Sequence, residues 1–195
     1  METNPYAPPQ APVGDIAPVG EAGMPVFFPV SRTKLIVMSV LTISLYQIVW
    51  FYKNWALVRA RGERVWPLPR TLFAVFFCYD LMDRIRSHRR DLPSHGLPAG
   101  LLAAGWIVAF LISNSADPIG TRLGWPPSVL LLVLIVDFAT VAFLVPAQDA
   151  ANVINRQEAP DHEPNARFTG WNWLWIVIGV VLITASFLAA FIPAA

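Results

Sequence analysis

Asp137 is the residue of this sequence best placed to do chemistry. It stands near the middle of residues 129–145, a run rich in Leu and Val. A carboxylate at the centre of a bilayer costs at least about 2.5–3.5 kcal/mol on insertion scales unless it is paired or protonated. Three roles fit such a group: a proton or cation site, a polar contact with a partner helix, or a protonated carboxyl packed against a neighbouring span. For the last, Thr42, Ser44, Gln47 and Thr184 offer side-chain partners. No Lys or Arg lies inside an apolar run, so an intramembrane ion pair within one chain is excluded. Transporters usually carry several intramembrane polar groups on paired repeats. This chain has one such carboxylate and no internal repeat.

Other reactive types are more scattered. His88, Asp91 and His95 are spaced loosely, and Pro93 and Gly96 break any helix between them. A metal needs ligands on a fixed geometry, so solvated loop residues are the expectation here. Asp161, His162 and Glu163 form a similar trio between Pro160 and Pro164. The single cysteine, Cys78, excludes an internal disulfide and a cysteine metal cluster. It lies in the apolar string Phe76-Phe77-Cys78-Tyr79 and reads as a small buried hydrophobe. Nucleophile elbow, P-loop, dinucleotide fingerprint and zinc-protease motif are all lacking. The expectation is a non-enzyme with no cofactor and no metal.

The elements that position these residues are membrane helices. Of 195 residues, 55% are hydrophobic and 14% charged, with a mean hydropathy of +0.51. A soluble domain carries about 25% charged residues. The apolar residues are blocked into four stretches, roughly 34–52, 97–112, 128–145 and 171–192. Each is near the ~20 residues that cross a bilayer as a helix. The expected fold is all-α: four transmembrane helices in one membrane domain, 32–195. Residues 1–31 carry seven prolines, at 5, 8, 9, 12, 18, 25 and 29, and read as a disordered tether. No signal peptide is visible, so the first stretch is expected to be its own insertion signal.

Between the first two stretches, Trp66-Pro67-Leu68-Pro69 is a break, and Pro69 suits the first turn of a new helix, about 70–90. Its apolar half is too short to span. Leu81, Met82 and Ile85 cluster on one side, Asp80, Asp83, Arg84 and Ser87 on the other. An amphipathic interfacial helix fits, with Asp80 and Arg84 paired. Arg84, Arg86, Arg89 and Arg90 are then placed to hold anionic lipid headgroups, each worth roughly 1 kcal/mol near a charged leaflet. Lipid explains this basic segment better than nucleic acid does.

Charge sets the orientation. Nine of the fourteen Lys and Arg residues lie between the first two stretches: Lys53, Arg59, Arg61, Arg64, Arg70, Arg84, Arg86, Arg89 and Arg90. Positive segments stay in the cytoplasm. Loop 53–96 is therefore expected inside, and four spans then put both termini outside. Polar-edged aromatics favour the headgroup zone, so Trp50, Tyr52 and Trp55, with Trp171, Trp173 and Trp175, are expected at the inner interface. The first helix is expected to run to Arg61, with Gly62 as its stop. Gly100 with Ala104, and Gly105 with Ala109, have the spacing of close helix contacts in lipid.

Three strings carry a resemblance: Trp50-Phe51-Tyr52-Lys53-Asn54-Trp55, then Phe76-Phe77-Cys78-Tyr79, then Asn165-Ala166-Arg167-Phe168-Thr169-Gly170-Trp171-Asn172. From Phe28 onward the chain resembles a group of small uncharacterised bacterial inner-membrane proteins. The resemblance implies a bacterial inner membrane and no particular activity. The start Asn4-Pro5-Tyr6-Ala7-Pro8 is similar to Pro-rich heads of bacterial membrane proteins, which are often regarded as cytoplasmic, against the charge count. The leading expectation is a non-catalytic scaffold or accessory subunit that meets lipid and a partner or second copy. The alternative is a small transporter or channel using Asp137.

Overall fold

The computed structural model describes residues 23–88 and 97–191; Arg89, Arg90, Asp91 and His95, and most of the Pro-rich tail, lie outside them. The described residues form seven helices and no strand. Three helices are long and apolar enough to cross a membrane: α5 (Ala99–Leu123), α6 (Pro127–Glu158) and α7 (Gly170–Phe191).

The first expected span is not one helix. It is α1 (Arg32–Leu41) and α2 (Leu45–Ala60), separated by Thr42, Ile43 and Ser44. Ile43 and Ser44 take left-handed φ of 50° and 59°, which non-glycine residues adopt rarely and at a cost. The polar side chains there replace lost helix bonds. The Thr42 hydroxyl donates to the Met38 carbonyl at 2.6 Å and accepts from the Tyr46 N–H at 3.1 Å. Ser and Thr bond locally to backbone and so compete with the helical pattern.

Contacts along α6 show that the two helices run in opposite directions. The Val30 carbonyl meets Asn152, and Ser44 meets Asp137, so α1 descends α6. Gln47 then bonds Thr140, and Trp50 bonds Gln148, so α2 climbs back. Arg61, just past α2, bonds the Val26 carbonyl. The stretch 34–52 is therefore a helical hairpin that enters and leaves at one end of the bundle. Gly62, with φ 89°, follows α2 as its stop.

The expected helix 70–90 is also two pieces, α3 (Pro67–Leu72) and α4 (Ala74–Ser87), joined at Phe73. Thr71, Leu72, Ala74 and Val75 reach the cavity beside Ser44. The far ends return to where the first hairpin began: Arg84 pairs with Glu63, and His88 with Glu158. Leu81, Met82 and Ile85 are fully buried, as the pattern predicts, while Phe73, Phe76 and Tyr79 face outward.

A short strap, residues 26–30, closes this end. Val26, Phe27 and Val30 are buried, so the proline-rich expectation of a free tail fails here. Amide side chains hold the strap. Asn155 Oδ1 accepts from the Phe27 N–H and its Nδ2 donates to the Phe27 carbonyl, at 2.9 and 2.8 Å. Asn54 accepts from the Phe28 N–H at 3.0 Å, and Gln148 donates to the Phe28 carbonyl at 3.0 Å. These bonds satisfy the backbone of a segment that lies outside any helix.

Two long helices outrun their expected ends. α5 continues through Pro118 to Leu123, and α6 through Pro146 to Glu158. Each Pro removes one backbone bond but does not end the helix. In α6 the extra turns carry Gln148, Asn152 and Asn155, and strap contacts hold them. α5 and α6 are antiparallel and close, because Gly105 lies against the Phe143 ring where a Cβ would overlap it. In α7, Gly179 sits so near the Leu41 carbonyl that a Cβ would overlap that oxygen. Most of α7 otherwise faces outward, with Trp171, Trp173, Trp175, Val177 and Val181 exposed.

Candidate functional site

Asp137 lies on α6 opposite the break between α1 and α2. Ser44 opens α2, but its hydroxyl does not cap the helix. It donates instead to Asp137 Oδ2 at 2.8 Å. From α5, the Ser113 hydroxyl lies 3.4 Å from Asp137 Oδ1 and nearer, at 3.1 Å, to the Phe110 carbonyl. Oδ1 is thus the less satisfied oxygen.

The surrounding bonds have a fixed direction. An indole nitrogen can only donate. Trp106 donates to Gln47 Oε1 at 2.8 Å, which turns the Gln47 amide nitrogen toward Ser44 and Thr140, at 3.1 and 2.6 Å. The hydroxyl hydrogens are then free to point onward. Thr140 gives its own to the Asp137 carbonyl at 2.5 Å, and Ser44 gives its own to the carboxylate. Gln47 and Thr140 are buried. Trp106, Gln47, Ser44 and Thr140 therefore form a relay of donors ending on Asp137.

This relay borders a cavity of about 270 Å³. Its walls include Phe51, Trp106, Phe110, Asn114 and the α3–α4 turn, and Asp137 is the one charged residue among the described lining. Trp106 stacks on Phe110 at 5.0 Å, with an angle of 14° between the rings, and Phe51 meets Trp106 edge-on. Leu45, Ile48, Leu72 and Asn114 line the cavity and are exposed, so its rim reaches the outside of the bundle at α2, α3 and α5.

No family model, curated protein or solved structure was found to match the chain.

The other residues singled out by sequence separate into distinct places. Of the suggested partners for Asp137, Ser44 touches it and Gln47 acts through Ser44, whereas Thr42 serves the helix break and Thr184 is exposed on α7. Arg84 is not free for lipid. It bonds Asp80 at 2.7 Å and Glu63 at 2.5 Å. Arg70, counted in sequence only toward orientation, completes the group by bonding Asp80 at 2.5 Å and lying over the Trp55 and Phe77 rings. Trp50 and Trp55 are fully buried rather than at a headgroup surface. Trp50 donates to Gln148, and Trp55 packs beneath Arg70. A buried aromatic with a polar edge needs an internal partner, and Gln148 lay in what read as a loop. Tyr52, Trp171, Trp173 and Trp175 are exposed.

Cys78 is buried, and burial pushes its thiol up to about 11. His162 bonds the Ala159 carbonyl. Among the described residues no three His, Cys, Asp or Glu side chains are grouped to hold a metal. The signals missed in sequence were Ser113, Trp106 and Thr140. Trp106 and Thr140 looked like ordinary span composition, and Ser113 fell just past the expected end of its span; the packing of α2 and α5 on α6 brings them together.

Proposed function

We propose that this is a bacterial inner-membrane protein that crosses the bilayer three times and carries a small solute or ion through the Asp137 site without covalent chemistry. The helix break at Ser44 facing Asp137 carries this reading. Interrupted helices that present polar groups to a cavity at membrane depth are the usual way a transporter builds a site in lipid. Among the described residues, every Lys and Arg except Arg122 lies in the strap half of the bundle, which favours that half as cytoplasmic. With three spans and an entering hairpin, the N-terminus is then inside and the C-terminus outside, in place of both termini outside.

The test is flux into proteoliposomes. Movement of protons, sodium or a small organic cation that is lost in Asp137→Asn and kept in Asp80→Asn supports the reading. Flux that ignores Asp137, or is absent in the native chain, overturns it.

A scaffold or accessory role is the second reading. The outward apolar face of α7 favours it, since that face suits either lipid or a partner helix. Extraction in a lipid-preserving polymer followed by mass spectrometry tests this. A stoichiometric partner lost in an α7 variant supports the scaffold, and a lone chain opposes it.

A further inference from the structure

We infer that the Asp137 cavity takes a compact organic ammonium ion that enters sideways from the bilayer; this rests on the transport reading and names its substrate class.

Four observations carry the inference. The first is charge. Asp137 is the only charged residue of the described lining, and no Lys or Arg interrupts the membrane runs. The counter-charge of an ionised Asp137 must come from a ligand. The second is the direction of the hydrogen bonds. Ser44 and Thr140 aim their hydrogens at Asp137, and Gln47 turns its amide nitrogen toward them. These groups leave few free oxygens. A small inorganic cation in protein needs a shell of several oxygens, six or more for calcium. An ammonium ion with carbon substituents needs one carboxylate and soft surroundings.

The third is the wall. Phe51, Trp106 and Phe110 line the same cavity. Aromatic faces attract ammonium groups, the more so away from water. The fourth is size and access. At about 270 Å³ the cavity is below the roughly 300–1,000 Å³ of drug-sized sites, which suits a compact ligand. Its mouth is flanked by exposed Leu45, Ile48 and Leu72, and by Asn114 from α5. A ligand that partitions into lipid reaches that mouth directly.

The test uses the full chain in lipid nanodiscs and benzyltrimethylammonium as probe. Its neutral isostere, with carbon in place of nitrogen, is the control. Saturable binding is expected for the cation, with the neutral analogue at least about tenfold weaker on the native protein. Asp137→Asn should weaken the cation by a similar factor, Phe110→Leu by about two- to fivefold, and Asp80→Asn should leave it unchanged. No saturable binding overturns the inference, as does equal binding of the neutral analogue. The comparison on native protein needs no variant to fold. Asp137-dependent proton or sodium flux without probe binding sinks the ammonium inference and leaves the transport reading standing. Loss of both sinks both.

Discussion

Ser44 and Asp137 are 93 positions apart in the chain, and their side chains bond at 2.8 Å. The bond ties the tip of the first hairpin to the first third of α6. A hydroxyl at a helix break and a carboxylate in an apolar run each look like a defect when read alone. Paired, each answers the other's need.

That pairing predicts a measurable coupling. Hydrogen bonds between membrane helices average about 0.6 kcal/mol in double-mutant cycles, with a maximum near 1.7. Ser44→Ala, Asp137→Ala and the double variant, unfolded in mixed micelles, should give a coupling of about 0.6–1.7 kcal/mol. Additive effects would show that the two side chains do not meet.

The hairpin predicts the sidedness of labelling. Cysteines placed at Arg32 and Arg64 should react with an impermeant maleimide from the same face of inverted vesicles, and one at Arg122 from the opposite face. A continuous first span would separate Arg32 from Arg64, so labelling from opposite faces refutes the hairpin.

Cys78 should not interfere with such labelling. The thiolate is the reactive form. Burial raises this thiol to about 11, so the thiolate is scarce below about pH 10 and grows only as pH approaches that value. Reaction with maleimide at pH 7.5 should require denaturant. Rapid labelling of the native protein would contradict the burial.

Gly179 predicts where α7 docks. A Cβ there overlaps the Leu41 carbonyl, whereas at Gly100 it would meet the Tyr79 ring at an ordinary 3.8 Å. Gly179→Val should destabilise by about 1–3 kcal/mol, the usual range for overpacking. Gly100→Ala should be nearly silent. Equal thermal stability of the two variants would place α7 elsewhere.

Asn155 predicts the hold on the strap. Asn155→Leu removes both bonds to Phe27 and leaves its buried backbone groups without partners, a cost of about 1–3 kcal/mol. Limited proteolysis near Met24 should speed up several-fold, while the helices persist by circular dichroism. Unchanged cleavage would show that the strap is held by packing of Phe27 alone.

Some of this was legible in the sequence because it depends on local pattern. The start of α6, most of α7, the buried face of Leu81, Met82 and Ile85, and Gly62 as a stop all follow from apolar runs and periodicity. The need of Asp137 for a polar partner followed from its position in an apolar run, and Ser44 was among the four partners suggested. The hairpin did not. Residues 34–52 have the length and apolarity of a span, and the break at Thr42, Ile43 and Ser44 replaces one apolar helix by two. Length cannot separate a crossing from an entry and return when both bury the same residues. The strap and the inward turn of Trp50 depend on Gln148 and Asn155, which lie beyond Pro146. A proline in that place suggests a loop, yet the helix passes through it and brings the amides into reach.

The strap also sets an order of events during synthesis. Phe28 leaves the ribosome early, but Gln148 follows 120 residues later, and Asn155 trails Phe27 by 128. At roughly 5–20 residues per second this is a wait of about 6–25 s. Throughout that interval α1 and α2 have neither α6 to lie along nor amides to close the strap. The first hairpin is therefore made long before the helix that buries it, and the bundle cannot close until α6 has been synthesised.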